Sequence, residues 1–373
     1  MLRCLLVFLG LSTVLFMSAE TPSTSTLHGR WSEKRINDWY ADQPWLVGAN
    51  YVPRNAINQI EMWQADTFDP EIIEEELGWA AAIGMNTMRV FLHDLVWEED
   101  PDGLIDRIDT FLKICQRYRI RPMVVFFDGV WDPHPYLGPQ RPPRAHVHNS
   151  GWVQSPGRTI LGDPERHDEL RNYVKGIMHY YANDRRILAW DLFNEPDNLN
   201  QVSYGGLELA EKADLAHALL IKAFTWAREV NPRQPITTGI WRDHGGWAEP
   251  SPIFEFMLAN SDFLTFHNYS DAENLALQIE EMKAAQDRPL MCTEYMARGN
   301  ESTFDPHLGI MRRHRVGAYN WGLVDGKSQT KYPWATWREV FTAEPQEWHH
   351  DIFRSDGTPY RQAEVDYIRG LTK

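Results

Sequence analysis

Two short segments of this 373-residue chain end in a carboxylate that follows an apolar run. One is Trp190-Asp191-Leu192-Phe193-Asn194-Glu195-Pro196; the other is Pro289-Leu290-Met291-Cys292-Thr293-Glu294-Tyr295. Glu195 and Glu294 lie 99 residues apart (294 minus 195). If strand and helix alternate at about 30 to 35 residues per unit, that spacing puts them at the ends of a fourth and a seventh strand. Two carboxylates on one barrel rim can carry out displacement at a sugar carbon, one protonating the leaving oxygen while the other attacks. At a dry rim Glu195 would have its pKa raised and could act as the proton donor. Asn194 could bond a sugar 2-OH, a contact that strengthens in the transition state. The competing reading of Asn194-Glu195-Pro196 is a turn or helix-capping triplet. The buried run before it, Ile187 to Phe193, favours chemistry.

The elements that must hold these residues can be read from residue 46 onward. Candidate strands are Leu46 to Tyr51, Asn86 to His93, Pro122 to Phe127, Ile187 to Asn194, Pro235 to Ile240, Phe263 to Asn268, Pro289 to Glu294 and Gly317 to Leu323. Most are continuous apolar runs, as expected of strands buried on both faces. Between them lie amphipathic stretches: Pro70 to Ile83, Gly103 to Tyr118, Pro164 to Tyr181, Leu207 to Val230, Ser251 to Leu258, Ala272 to Ala285 and His307 to His314. A last one spans Tyr360 to Leu371. Ile72, Ile73, Leu77, Ala80 and Ala81 show the helical apolar stripe. Eight units without a composition break predict an α/β chain folded as a single-domain (β/α)8 TIM barrel over residues 45–373. Residues 20–44 read as linker and lead-in.

Asp128 to Asp163, after the third strand, is long and rich in Pro, Gly, His and Arg. It leaves a C-terminal strand end, the active face of such barrels, and carries Trp131, Tyr136 and Trp152. It reads as a loop covering substrate rather than a decorative insertion; endo- versus exo-action stays open, though this loop could close one end of the cleft and give exo-action. Its His134, His146 and His148 match no standard metal spacing, so neither metal nor cofactor is expected.

The N-terminus reads as a secretory signal over residues 1–19, with Arg3 before an apolar run from Cys4 to Phe16. A secreted or periplasmic location follows, with a retained N-terminal anchor as the alternative. Cys115, placed on a helix, and Cys292, placed on a strand pointing into the barrel, read as free and buried. The net charge of −15 argues against nucleic acid or a stable membrane partner. It is compatible with neutral or cationic substrates, such as an uncharged polysaccharide. Sixteen tryptophans serve the core and offer flat faces on which sugar rings can stack. Asn268-Tyr-Ser270 and Asn300-Glu-Ser302 match glycosylation acceptors. Oligomeric state is not written in these patterns.

Taken in order, several motifs resemble the retaining glycoside hydrolases of clan A, nearest to family 5 cellulases and mannanases. Asn86-Thr-Met-Arg89-Val-Phe is similar to the second-strand arginine motif, and Asn194-Glu195-Pro196 to the acid/base motif. Phe266-His267-Asn268-Tyr269 is similar to the sixth-strand His-x-Tyr, Thr293-Glu294-Tyr295 to the nucleophile motif, and Ala318-Tyr-Asn-Trp321 to the eighth-strand tryptophan that floors the cleavage subsite. The resemblance covers residues 45 to 325. It implies a β-glucan or β-mannan substrate and double displacement, with Glu294 as nucleophile and Glu195 as acid/base. It departs where the family often carries a third-strand His: here stand Phe127-Asp128, with His93-Asp94 after the second strand as a substitute.

The residues support the transfer. Arg89 inside a buried strand needs a partner, and Glu294 or Asp191 is the natural one. Beside Glu294 it would keep that carboxylate ionised; paired with Asp191 alone it would be structural. Tyr269 could donate to Glu294. His267 could bond the acid/base carboxylate or a sugar hydroxyl, or be satisfied by backbone. Trp321 could stack on the sugar or only fill the core. Trp241, after the fifth strand with Arg242-Asp243-His244, is placed along the cleft. Three rivals remain: a transglycosylase with the same two glutamates, a non-catalytic carbohydrate-binding barrel, and a metal-dependent hydrolase built on the loop histidines.

Overall fold

The computed structural model describes residues 26–241 and 250–373. The signal segment over residues 1–19 and the stretch Arg242-Asp243-His244 lie outside the described residues. Eight parallel strands form one sheet: β1 (Val47–Asn50), β2 (Thr87–Phe91), β3 (Arg121–Asp128), β4 (Ala189–Asn194), β5 (Ile236–Gly239), β6 (Leu264–His267), β7 (Leu290–Tyr295) and β8 (Gly317–Trp321). Their order is β5-β4-β3-β2-β1-β8-β7-β6. Side-chain hydroxyls stitch the seam between β5 and β6. Thr237 Oγ1 donates to the Phe263 carbonyl at 2.8 Å, and Thr265 Oγ1 to the Thr238 carbonyl at 2.6 Å. Helices cover the outside, so the chain is the expected single-domain (β/α)8 barrel. All eight strands fall within two residues of their expected bounds, because continuous apolar runs between turn residues leave little choice of element.

The helices needed more correction. The stretch from Pro164 begins as a 3-10 turn, His167–Leu170, before the α-helix Arg171–Tyr180. The one expected from Leu207 starts at Lys212. The lead-in carries an unexpected helix, Glu33–Ala41, whose first turn is capped by Ser32 Oγ accepting from the Arg35 amide. It buries Ile36 and Tyr40 and packs with Trp31 against Met123, Leu188, Phe263, Met291 and Tyr319. Trp39 stacks on Phe263 with centroids 6.2 Å apart. This segment therefore plugs the end of the barrel remote from the candidate site. Nine mixed residues are too few for a clear periodicity. Cys115 and Cys292 are free and buried. Cys292, however, sits beside Phe266 and Ala318 in register and packs in the layer beneath the helices. Its neighbour Met291 is the one that points inward. Among the described residues no helix is long and apolar enough to cross a membrane.

Candidate active site

Strand alternation alone would not bring the two glutamates to the cleft. In β4 Asp191 points inward, so Phe193 should follow it and Asn194 should face the helices. A register shift between Asp191 and Asn194 resets the count, and Asn194 Oδ1 accepts from Arg89 Nη2 at 2.7 Å inside the barrel. In β7 Met291 points inward, which should send Glu294 outward. Shifts against β6 and β8 turn it back. A strand irregularity thus re-aims both functional ends, a recurrent use of bulges beside active sites. Glu195 leaves its strand at φ +43°, a left-handed conformation that a side-chain-bearing residue adopts at some cost. Close to it, a Cβ on Gly129 would stand 2.3 Å from the Glu195 carbonyl oxygen. Only glycine lets the loop after β3 pass there.

The site is a cavity of about 880 Å³ at the C-terminal rim, within the usual range for ligand pockets. One oxygen of Glu195, one of Glu294 and a ring nitrogen of His267 all lie within 4.8 Å of one another. Glu294 accepts from Arg89 Nη1 at 3.2 Å and from the Tyr269 hydroxyl at 2.8 Å. Glu195 is bonded to His267 Nδ1 at 2.6 Å and to Asn198 Nδ2 at 2.6 Å. Arg89 also donates to Asp191 from Nε and Nη2 at 3.0 and 2.8 Å, and to Asn50 Oδ1 at 2.9 Å. It is fully buried, and its donors hold the floor of the site.

Electrostatics divide the pair by their partners. Burial works to raise Glu195, but the hydrogen bond and charge of His267, with Asn198 and Arg89, hold it below the usual carboxylate range. Burial and the Glu195 charge push Glu294 up, against His267, Arg89 and Tyr269. The two carboxylates share their charge, and Arg89, a permanent cation bonded directly to Glu294, draws the negative charge to Glu294. Burial and the Glu294 charge keep the Tyr269 hydroxyl well above the ordinary tyrosine range, so it remains a donor.

Asp128 also lines the cavity. Its Oδ1 accepts from Asn194 Nδ2 at 3.0 Å and its Oδ2 from Trp152 Nε1 at 2.6 Å. With Arg89 on its oxygen and Asp128 on its nitrogen, the Asn194 amide is fixed in one orientation, leaving its second N–H for a ligand. Burial first, then the charges of Glu195 and Glu294, push Asp128 up to about 7. A raised folded-state value means that its favourable contribution is fully present below the unfolded value of 3.8 and is lost as pH rises through about 7. Asp128→Asn, which cannot ionise, should therefore be less destabilising at pH 8 than at pH 4. Thermal melts of both proteins at the two pH values test this, and an equal gap at both would refute it.

The other expected residues are placed as follows. Trp321 floors the cavity, 8% exposed, against Phe91 and Trp152. Trp131 and Trp241 line it, Trp241 Nε1 donating to Asp197 Oδ1 at 2.7 Å. Of the other two loop aromatics, Trp152 supports Trp321 from behind, and the Tyr136 hydroxyl accepts from the Arg141 amide, outside the cavity lining. His93 does not line the cleft. Its Nδ1 accepts from the Leu95 amide, capping the short helix Asp94–Glu99, and its Nε2 meets the Gln154 carbonyl. It cannot substitute for a third-strand histidine. Asn268 is buried, its amide bonded to Asn274 and Gln278, so it is no surface glycosylation acceptor.

Among the described residues, the one cluster of three metal-type ligands is Glu195, His267 and Glu294. The loop histidines 134, 146 and 148 form none. In the cluster, Arg89 and Tyr269 already direct positive charge and a proton at Glu294. Sequence reasoning missed Asn50, Asn198, and the loop after β8 that brings Trp334 and His350 to the cavity. The density of Trp and His from Trp334 to His350 was the available signal.

No family model matches the chain, and no curated protein matches its sequence. Solved structures do. GH5_18 from Streptomyces cattleya in complex with GlcNAc is 14% identical, with a TM-score of 0.60 over 87% of this chain and 79% of that one. The exo-β-1,4-mannosidase Op5Man5 from Opitutaceae bacterium strain TAV5 is 20% identical, with a TM-score of 0.58 over 88% of this chain and 59% of its own. The endo-1,4-β-mannanase from Rhizomucor miehei is 15% identical, with a TM-score of 0.57 over 88% and 96%. In fold, the chain resembles these family 5 glycoside hydrolases across nearly all of its barrel.

Proposed function

We propose that this protein is a secreted, retaining β-glycoside hydrolase acting on a neutral β-linked glycan by double displacement. The observation that carries the reading is the carboxylate pair: oxygens within 4.8 Å, one acid held by Arg89 and Tyr269 and the other by His267 and Asn198. Retaining enzymes hold their carboxyls about 5 to 5.5 Å apart, whereas inverting ones leave about 6.5 to 9.5 Å for a water. Glu294 attacks the anomeric carbon of a sugar resting on Trp321 while Glu195 protonates the departing oxygen. Glu195 then takes a proton from water, which releases the sugar. The second N–H of Asn194 is placed to bond the 2-OH as charge develops. The names of the fold neighbours favour mannan over glucan. Export rests on the charged and apolar N-terminal stretch.

The test is a screen of aryl β-mannosides and β-glucosides, followed by proton NMR of the first product formed. The β-anomer should appear before mutarotation. An initial α-anomer would mean inversion and sink the double displacement.

A further inference from the structure

We propose that the cleft is blind on its glycone side, so that the enzyme removes single sugars from the non-reducing end, and that His350 Nε2 accepts a hydroxyl of that terminal sugar. This rests on the glycosidase reading and adds its mode of action.

The blind end is made by two loops locked together over the rim. The loop after β3 and the loop after β8 share the Asn149 amide to Ser328 carbonyl bond at 2.9 Å. His148 donates its amide to Thr336 Oγ1 at 3.0 Å, and its Nδ1 meets the Tyr332 carbonyl at 2.7 Å. Trp337 Nε1 donates to the His148 carbonyl at 2.9 Å, and the Trp337 ring stacks on Trp131 at 5.7 Å. His148, Asn149 and Tyr332 are buried. This is a packed wall, not a flap.

The wall stands on the nucleophile's side. Trp334 meets the Tyr269 ring edge-on at 5.0 Å, and Tyr269 is bonded to Glu294. The ring attacked by Glu294 must lie there, between Trp321 and the wall. The leaving group lies beyond Glu195, where Asn198 and Trp241 border the cavity and Leu199 and Val202 are 38% and 43% exposed. Among the described residues the cavity is therefore walled at the glycone end and open at the other.

At the wall's foot His350 is buried and lines the cavity. Its Nδ1 lies 2.5 Å from the Met296 carbonyl, which fixes the proton on that nitrogen. Nε2 has no partner among the described residues. Burial, then the neighbouring imidazoles of His349 and His148, holds this ring well below the ordinary histidine range, so Nε2 carries a bare lone pair. The ring lines the sugar site, and a buried acceptor left unpaired in the free protein fits a ring hydroxyl that packs against it once a sugar is bound.

The experiment uses β-1,4-linked oligosaccharides of three to six sugars, of the type the aryl screen selects, labelled at the reducing end. Early products should be the labelled chain one sugar shorter and free monosaccharide. Labelled fragments of several lengths from the start would overturn the blind-end inference while leaving the glycosidase reading intact. No cleavage of any oligosaccharide or aryl glycoside would overturn both. For His350, His350→Phe keeps the ring volume and removes the acceptor. One monodeoxy aryl glycoside should lose about tenfold in kcat/KM with the native protein and lose nothing further with the variant. Equal losses for every deoxy position in both proteins would overturn the hydroxyl contact.

Discussion

Glu294→Ala should remove activity on every substrate, by about 10⁴-fold or more, the order of loss seen when a nucleophile is deleted. Glu195→Ala should behave differently. With poor leaving groups it should lose about 10²- to 10⁴-fold, the usual worth of a positioned proton donor. With dinitrophenyl glycosides, whose leaving group needs no proton, the first step should survive and the glycosyl-enzyme should accumulate. Added azide separates the roles further. In the space left by Glu195 it attacks the glycosyl-enzyme from the face opposite Glu294 and gives a β-azide. In the space left by Glu294 it takes the nucleophile's own path and gives an α-azide. Equal losses on all substrates in both variants, or the same azide from both, would falsify the assignment of roles.

Arg89→Ala should cost about 3 to 5 kcal/mol of stability, because it leaves Asp191 and Glu294 buried without their cation. Urea unfolding measures that loss. Arg89→Lys is the sharper variant. A single ammonium cannot reproduce the fork that reaches Asp191, Asn50, Asn194 and Glu294 together. It should fold, yet lose about 10²-fold in kcat, as displaced catalytic groups do. Full activity in Arg89→Lys would show that Arg89 supplies only charge.

The barrel was legible because its signal is redundant: eight apolar runs alternating with amphipathic stretches admit few other folds. Glu195, Glu294, His267 and Tyr269 were legible as types at strand ends and Arg89 as a charge inside a buried strand, and the structure brings them into one hydrogen-bonded cluster. What sequence could not show is parity. Counting alternate residues from Met291 would have pointed Glu294 at the helices, and nothing in Met291-Cys292-Thr293-Glu294 announces the shift that prevents it. The same blindness put Cys292 inside the barrel. His93 looked chemical by type, but its surroundings made it a helix cap. The wall residues were missed for another reason: His148 and His350 are brought together only by contacts between two irregular loops, distant in sequence.

The register shifts have a consequence for how this chain can vary. Below them, the inward side chains Met123, Ala189, Met291 and Tyr319 keep one phase and answer only to packing. Above them, Asn194 and Glu294 keep the opposite phase and answer to geometry. The barrel is thus two storeys on shared strands, and apolar substitutions in the lower one have no direct line to the reacting atoms. Arg89 is the stairwell. It belongs to the lower phase by strand position but reaches the upper floor by its length, so the independence of the two storeys ends at this one side chain.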